Sequence, residues 1–266
     1  MPDAAKNIPL VELQDICLTF NPGTVNENCL FNGFNFRVDR GEFVSVVGSN
    51  GSGKTSMLNL ICGTLMPESG RILLEGEDIT KMPEFRRSQR IGRVFQNPAT
   101  GTCPDLTILE NLSLADNKGK SYGLSRGVNH AKKEEYRTLL SQLHMGLEDK
   151  LEVPVGTLSG GQRQALALLI ATMTPIDLLI LDEHTAALDP KSSETVMELT
   201  LKTIEEKQLT ALMVTHNLRF ATDYGDRIVM MHEGKAHLDS YGRSKSDFDV
   251  DYLLKEFTEI SIELGN

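Results

Sequence analysis

The chain has 266 residues, of which 40% are hydrophobic and 24% charged, and its formal net charge at pH 7 is −10. This length allows one large α/β domain with a subdomain, and the acidic balance argues against a nucleic-acid role that needs a broad basic surface. The longest apolar run, over 165–171, falls far short of the roughly 18–20 residues of a membrane span. The local basic cluster of Arg86, Arg87, Arg90 and Arg93 is expected to form a solvated face.

The N-terminus and the cysteines indicate an intracellular protein. Residues 1–7 lack the basic and apolar blocks of a signal peptide, so we expect the protein to be made and kept in the cytosol. Cys17, Cys29, Cys62 and Cys103 show no C-x-x-C spacing, and three of them lie in or beside apolar segments. This pattern predicts free, buried thiols in a reducing compartment and argues against a zinc site.

Three strands are predicted before residue 48. Residues 10–20 alternate between apolar and polar side chains, as a half-exposed strand does, and Asn-Pro-Gly-Thr at 21–24 ends it. A second strand is expected over 34–38, and a third, apolar and β-branched, over 43–47. Phe20 lies at the end of the first strand, where its ring either stacks on an adenine or packs in the core, and the residues alone leave both readings open.

Residues 48–55, which follow the third predicted strand, fit the phosphate-binding pattern G-x-x-x-x-G-K-[ST] in full. A buried strand precedes them, and 56–62 has helical spacing closed by Gly63, which disfavours a chance match to a glycine-rich turn. Glycines let backbone N–H groups turn toward the β- and γ-phosphates at the positive end of a helix dipole. Lys54 adds a positive charge, and Thr55 offers its hydroxyl to Mg²⁺. The expected nucleotide-binding residues are Gly48, Ser49, Asn50, Gly51, Ser52, Gly53, Lys54, Thr55 and Ser56.

The middle of the chain is predicted to be mainly helical. The expected elements, in order, are strands over 70–75 and 92–95, a helix over 106–116, a polar loop over 117–127, and helices over 131–143 and 163–173. The block 97–173 interrupts an alternation of strands and helices. We therefore interpret it as a subdomain inserted into the core.

Two segments at the end of this block and after it carry candidate chemistry. Residues 158–162 read Leu-Ser-Gly-Gly-Gln, and Ser159 suits the N-cap of the following helix, whose first amides belong to glycines. A strand over 178–181 ends in Asp182 and Glu183; after a phosphate loop, this is the Walker B arrangement, in which the first acid holds Mg²⁺ and the second can orient the attacking water. The remaining expected elements are strands over 211–214, 226–231 and 235–238 and an acidic helix or helix pair over 247–264.

With these motifs in place, residues 10–240 resemble the ATP-binding subunits of ABC transporters. Six motifs stand in the family's order: 48–55 as Walker A, Gln96 as the Q-loop, 158–162 as the signature motif, 178–183 as Walker B, 187–189 as the D-loop and His216 as the switch histidine. The resemblance implies an α/β fold with a P-loop NTPase core, containing a mixed parallel sheet and an antiparallel β subdomain, and an inserted α-helical subdomain. The expected domains are an ATP-binding core over 1–96 and 174–240, a helical subdomain over 97–173 and a helical tail over 241–266.

The resemblance also implies ATP and Mg²⁺ as ligands and assigns roles to residues. The implied metal-binding residues are Thr55, Gln96 and Asp182, and the implied catalytic residues are Glu183 as general base, His216 as hydrogen-bond partner of the γ-phosphate, and Gln96 beside the lytic water. Phe20 falls where the family places its adenine-stacking aromatic. Two copies would pack head to tail, and Ser159, Gly160, Gly161 and Gln162 of one copy would complete the nucleotide site of the other.

The implied partners are a second copy of the chain, separate transmembrane permease subunits and an extracytoplasmic substrate-binding protein, with no nucleic acid. The permease would dock beside Gln96, on residues around 97–115. The implied location is peripheral, on the cytoplasmic face of the plasma membrane. The tail after residue 240 is either a dimer contact or a capping helix.

One departure from the family stands at His184, where the family usually has proline in Asp-Glu-Pro-Thr. His184 either titrates near the nucleotide or is a tolerated substitution, and the second reading is favoured. This segment, together with 20–24, is similar to a bacterial subgroup that works with a separate permease and binding protein. Some members of that subgroup import aromatic amino acids such as tryptophan.

The alternative function is an ABC-type ATPase that acts on nucleic acid or the ribosome. Repair and chromosome ATPases carry long insertions between Walker A and the signature, whereas here that interval is about 100 residues. Ribosome-acting members carry two cassettes per chain, and here there is one. An ATP-binding regulator without catalysis would require damage at Glu183 or His216, and both are intact. Transport is therefore favoured, and import over export.

Overall fold

The computed structural model describes residues 8–120, 127–241 and 248–263. Within these ranges the strands are β1 (Val11–Phe20), β2 (Asn28–Val38), β3 (Phe43–Gly48), β4 (Ser69–Leu74), β5 (Glu77–Asp78), β6 (Ile91–Val94), β7 (Leu178–Asp182), β8 (Thr210–Val214), β9 (Arg227–His232) and β10 (Lys235–Asp239). The α-helices of the same ranges are α1 (Lys54–Cys62), α2 (Glu84–Arg87), α3 (Ile108–Asp116), α4 (Lys133–Ser141), α5 (Gly160–Thr172), α6 (Pro190–Lys207), α7 (Leu218–Tyr224) and α8 (Val250–Glu263). The predicted N-terminal segment 1–7, most of the loop 117–127 and both ends of the predicted tail helix 247–264 lie outside the described residues.

The described residues form two compact units, 8–87 with 210–241 and 248–263, and 88–120 with 127–209. The first unit contains an antiparallel sheet in the order β2-β1-β4-β5, whose strand β1 alternates buried and partly exposed residues as its sequence predicts. It also contains a mixed sheet in which β3 runs parallel to β8 and β9, while β10 is antiparallel to β9. Every residue of β3 is buried, and this buried strand leads directly into the 48–55 loop.

The C-terminal helix α8 belongs to the first unit. Phe248 and Leu253 are buried in a small hydrophobic cluster with residues of β3, α7, β9 and β10. The other buried members of that cluster are Val47, Ala221, Ile228, Met230 and Leu238. Leu254, the next residue of α8 after Leu253, is 49% exposed. The described part of the tail therefore packs on β3, α7, β9 and β10.

The second unit combines a parallel strand pair with a helical cluster. β6 and β7 pair in parallel, and a Cβ placed at Gly92 of β6 would lie 2.6 Å from the carbonyl oxygen of Ala171 in α5, so a side chain cannot fit there. α3, α4 and α5 share one hydrophobic core, which includes Leu109, Leu140 and Leu166. This cluster is the inserted helical subdomain that the sequence predicts; its boundaries at 97–173, and those of the core and tail, stay a prediction.

The predicted solvated arginine face is wrong, because only Arg86 of the four arginines is exposed. Arg87 is 1% exposed and donates to the carbonyl oxygens of Leu60, Ile61, Thr80 and Met82 at 2.7–3.0 Å. Arg90 pairs with Asp177 at 2.6 Å, and Arg93 pairs with Asp182. Charged side chains enter the interior here because each finds carbonyl or carboxylate acceptors there.

The four cysteines are free thiols, as expected, but the prediction that they are buried holds only for Cys62. Cys29 lies at the exposed start of β2, Cys103 lies in the loop before α3, and Cys17 is half-buried. Apolar neighbours in the sequence do not bury a residue at a strand end.

Among the helices of the described residues, none has both the length and the apolar composition for crossing a bilayer.

Candidate functional site

The 48–55 loop of the first unit has a backbone that its glycines require. Gly48 ends β3 with φ +153°, and a Cβ there would lie 2.3 Å from the carbonyl oxygen of Met231. Gly53 is the N-cap of α1 with φ +103°, and a Cβ there would approach the Phe31 ring to 3.0 Å. The amide of Gly234, in the turn between β9 and β10, donates to the Ser52 carbonyl at 3.0 Å. The loop is therefore held tightly at both ends.

The side chains of this loop fit a triphosphate. Lys54 is 5% exposed, and its Nζ donates to the carbonyl oxygens of Gly48 and Ser49 at 2.8 and 2.9 Å, which holds the charge inside the loop. α1 begins with no side-chain cap and no acidic residue in its first turn, so its amides point at the loop without an internal acceptor from a side chain. Ser52 Oγ is buried and has no hydrogen-bond partner within the described residues. Amides, an ammonium and a hydroxyl are the donors that phosphate oxygens need.

A cleft of about 670 Å³ borders the loop within the first unit. Its walls are 49–52 of the loop, the start of β2 and the turn between β9 and β10, with Asn28, Asn32 and Lys235 among the polar groups. This volume lies in the range of small-molecule sites. The exposed loop residues Ser49, Asn50, Gly51 and Thr55 and the half-buried Ser56 lie in or next to this region of the chain.

The first unit also brings His216 to the end of β3. β8 runs parallel to β3, and the Thr215 amide donates to the Val46 carbonyl at 3.1 Å. His216 follows directly and is exposed at the carboxyl end of the strand pair, where the loop at Gly48 begins. Asn217 caps α7 by accepting from the Phe220 amide at 3.2 Å, so the chain on both sides of His216 is fixed.

Phe20 is the last residue of β1, half-buried and paired with Asn28 of β2. Its ring is therefore neither fully packed in the core nor fully exposed. The adenine-stacking role of Phe20 stays a prediction.

In the second unit, Asp182 at the end of β7 and Glu183 directly after it lie in different environments. All five residues of β7 are buried, and the last, Asp182, is 9% exposed. Arg93 Nη2 donates to Asp182 Oδ2 at 2.6 Å. Glu183 is half-buried and has φ +48°, in the left-handed region that a non-glycine residue seldom adopts. This conformation turns the chain sharply, and the Ala186 amide donates to the Glu183 carbonyl at 2.9 Å.

His184 is 2% exposed and lies beside α6, where its Nε2 is 3.3 Å from Thr200 Oγ1. Burial lowers the pKa of His184 to about 4. The imidazole is therefore neutral at physiological pH and packs as a core side chain. This environment favours the reading of His184 as a structural substitution over a titrating group.

The signature segment forms the start of α5, as predicted from Ser159. Ser159 Oγ accepts from the Gln162 amide at 3.3 Å, and Gln162 Oε1 accepts from the Ser159 amide at 3.2 Å, a reciprocal capping box. A Cβ at Gly160 would lie 3.1 Å from Leu188, and one at Gly161 would lie 3.3 Å from Ser192. The two glycines thus allow the 187–189 segment and the start of α6 to approach α5 closely.

Gln96 is exposed two residues after the end of β6. The buried Gln164 of α5 donates from Nε2 to the Phe95 carbonyl at 2.9 Å, which joins the helix of the signature segment to the residue before Gln96. Neither Gln164 nor Arg93 is predicted as a site residue from the sequence. A charged residue inside a predicted buried strand was the available signal for Arg93; nothing local singles out Gln164.

The predicted site residues are thus grouped by unit. Phe20, the 48–56 segment and His216 belong to the first, and Gln96, the 159–162 segment and Asp182 with Glu183 belong to the second. Hydroxyl, amide and carboxylate oxygens of Thr55, Gln96 and Asp182 are of the type that Mg²⁺ prefers, and such sites use few protein ligands beside substrate phosphates. Each of these three side chains is of a chemical type that suits Mg²⁺.

Comparison with known proteins agrees with a nucleotide-binding role for the chain. The family model described as ABC transporter matches residues 31–186. The tyrosine transport ATP-binding protein of Clostridioides difficile (strain R20291) is 43% identical over 93% of this chain and 98% of that protein. The putative hemin import ATP-binding protein HrtA of Staphylococcus aureus (strain Newman) is 34% identical over 84% of this chain and 97% of its own length.

Solved structures show the same fold. An ATP-binding cassette determined as a dimer in a post-hydrolysis state with ADP and Pi is 28% identical, with a TM-score of 0.73 over 86% of this chain and 97% of that one. A nucleotide-free ATP-binding cassette from an ABC transporter is 24% identical, with a TM-score of 0.79 over 97% of this chain and 100% of that one, and shows the fold alone. The chain belongs to the ABC transporter family and is an ATP-binding subunit that hydrolyses ATP with Mg²⁺.

Proposed function

We propose that this chain powers the import of an aromatic amino acid, as one of two identical ATPase subunits beneath a separate permease. The observation that carries the cargo class is the 43% identity, over nearly the full length of both chains, to a protein named for tyrosine transport. The relatives named for hemin import are 34% identical or less over a smaller share of this chain. This assignment is supported by the overall sequence similarity to that relative. The residues of an ATPase subunit bind nucleotide and not cargo, so they do not identify the cargo themselves.

The nucleotide site is shared between two copies. Lys54 and the amides of the 48–53 loop hold the β- and γ-phosphates, while Phe20 stacks on the adenine. Ser159, Gly160, Gly161 and Gln162 of the second copy approach the same γ-phosphate. The capping box supports this, because Ser159 Oγ accepts from the Gln162 amide and so keeps its own proton for a phosphate oxygen.

Hydrolysis is assigned to Glu183, His216 and Gln96. Glu183 accepts a proton from water as the water oxygen forms a bond to the γ-phosphorus. The bond from that phosphorus to the bridging oxygen breaks, and the electron pair leaves with ADP. His216 donates a hydrogen bond to a γ-phosphate oxygen, and Gln96 orients the water. When bound, Mg²⁺ neutralises charge on the phosphates, and Thr55, Gln96 and Asp182 are the residues that would hold it.

The permease docks on residues around 97–115, beside Gln96. This segment is ordered by Asn111, which is 4% exposed and accepts from the Cys103 amide at 2.8 Å. Asn111 also donates to the carbonyl oxygens of Cys103 and Thr107 at 3.0 Å. A loop ordered by these hydrogen bonds can transmit a displacement of the bound permease to Gln96. A permease in the plasma membrane would hold the ATPase on the cytoplasmic face, and an extracytoplasmic binding protein would deliver the cargo.

Transport in proteoliposomes tests this function. The chain is reconstituted with the permease and binding protein encoded beside it, and ATP-driven uptake of radiolabelled tyrosine, tryptophan and phenylalanine is compared with uptake of leucine and of hemin. We expect uptake of an aromatic amino acid that is lost in the Glu183→Gln variant. Uptake of hemin or leucine alone would contradict the cargo class, and ATP-dependent efflux would contradict import.

A further inference from the structure

The ion pair between Arg93 and Asp182 places a fixed positive charge at the proposed metal-holding carboxylate. Arg93 lies in β6 opposite Ile180 of β7, and this register carries its guanidinium to Asp182 Oδ2 at 2.6 Å. The two side chains are 11% and 12% exposed. The guanidinium also lies over the Phe95 ring, 4.7 Å from its centroid. The pair is therefore largely removed from water and oriented from both sides.

Electrostatics makes such a pair a competitor of a metal ion. A carboxylate this buried needs a positive partner, and Arg93 supplies one without any metal. A divalent cation at the same carboxylate brings two further positive charges next to the guanidinium, and their repulsion is strong where water is excluded. Arg93 has a second favourable place for its charge over the Phe95 ring, so it can give up Asp182 without leaving the interior.

We propose that Arg93 is the counter-ion of Asp182 in the metal-free protein and that Mg²⁺ must displace it, so that Arg93 sets the Mg²⁺ concentration needed for nucleotide binding. This inference rests on the proposed role of Asp182 at the metal. Arg93 is a positioning residue under this proposal, since it acts through the carboxylate and does not touch the reacting atoms. Under this proposal, Arg93 compensates the negative charge of Asp182 until Mg²⁺ binds together with the nucleotide phosphates.

The test measures nucleotide-linked Mg²⁺ binding and not activity. The full chain is held at a fixed ADP concentration, free Mg²⁺ is varied with a metal buffer, and the melting temperature is recorded. For Arg93→Met we expect the Mg²⁺ midpoint to fall about tenfold, the size typical of changes next to a metal ligand. Arg93→Lys, which keeps the charge, should stay within about twofold of the wild type by the same reasoning. Arg93→Gln is measured in parallel and replaces the Met variant if that one does not fold.

Two controls separate the possible results. Arg90→Met removes another arginine–aspartate pair of the same unit, to Asp177, which is more exposed, and should lower stability while leaving the Mg²⁺ midpoint unchanged. Asp182→Asn should abolish the Mg²⁺ dependence; if the wild type itself shows none, the metal role of Asp182 fails and this proposal with it. An unchanged or higher midpoint in both Arg93→Met and Arg93→Gln, beside a normal wild-type response, would overturn the competition proposed here and leave the metal role of Asp182 intact.

Discussion

Gln164 donates to the carbonyl oxygen of Phe95 at 2.9 Å and so links the helix of the signature segment to the chain at Gln96. Gln164 is 1% exposed, so this hydrogen bond forms away from water. Under the proposed function, Ser159 meets the nucleotide of a second copy and Gln96 meets the permease side. The bond is a direct physical connection between these two places within one unit.

Breaking this bond should lower both stability and coupling. Gln164→Met keeps the side-chain length and leaves the Phe95 carbonyl without its donor, and we expect the free energy of unfolding to fall by about 1–3 kcal/mol. ATPase activity stimulated by the permease should fall more than the basal activity. The reason is that the backbone at 95–96, beside the proposed permease site, loses its hydrogen bond to α5. Urea unfolding and ATPase assays with and without the permease measure the two effects. Equal losses of stimulated and basal activity would argue against a coupling role.

Gly48 should be among the least replaceable residues of the phosphate loop. A Cβ there would lie 2.3 Å from the Met231 carbonyl, so Gly48→Ala must displace either the loop or β9. We expect nucleotide affinity, measured by calorimetry with ADP, to fall at least tenfold. Gly41→Ala is the matched control, because Gly41 also has a positive φ, at +81°, but has open space around a Cβ. That variant should lose about 1 kcal/mol of stability and keep its nucleotide affinity, and equal affinity losses in both variants would contradict this account.

His184 should make the protein less stable in mild acid. The unfolded chain binds a proton at this residue below a pH of about 6.5, whereas the folded chain does so only near its lowered pKa of about 4. Between these values the unfolded state binds more protons, so the free energy of unfolding falls as the pH falls, by about 2 kcal/mol from pH 7 to 5. Urea unfolding without nucleotide at both pH values should show this loss reduced in His184→Gln.

The matched control for that experiment is His130→Gln, because His130 is exposed in the segment before α4. We expect His130→Gln to keep the wild-type difference between pH 7 and pH 5. If His184→Gln also keeps the full difference, another group causes it and His184 is not buried as a neutral side chain.

Local signals explain most of what the sequence predicts correctly. The strand before Gly48, the helix after it and the Ser159 cap are each specified within about ten residues, by apolar β-branched runs, glycines and the Ser-x-x-Gln spacing. The helix α6, which is not among the predicted elements, also has a local start signal. Asp189 accepts from the Ser192 amide at 3.1 Å, and Pro190 occupies the first helical turn.

Other features depend on partners far away in the sequence. Arg93 and Asp182 are 89 positions apart, and Arg87 is held by backbone carbonyls that carry no residue-type signal. Charge clustering along the chain could not reveal either arrangement, because the acceptors come from other elements. The left-handed backbone of Glu183 was likewise not foreseen, since glutamate has no preference for it.

The proposed function requires that two copies share each nucleotide site and that Glu183 acts there as the base for hydrolysis. The most direct measurement is the molar mass of Glu183→Gln in solution, by light scattering with Mg²⁺ and either ATP or ADP, beside the rate of phosphate release. We predict a dimer with ATP, a monomer with ADP and no detectable hydrolysis, and a monomer with ATP when Ser159→Arg is added although nucleotide still binds. A Glu183→Gln protein that stays monomeric with ATP, or hydrolyses it at the wild-type rate, would contradict the account.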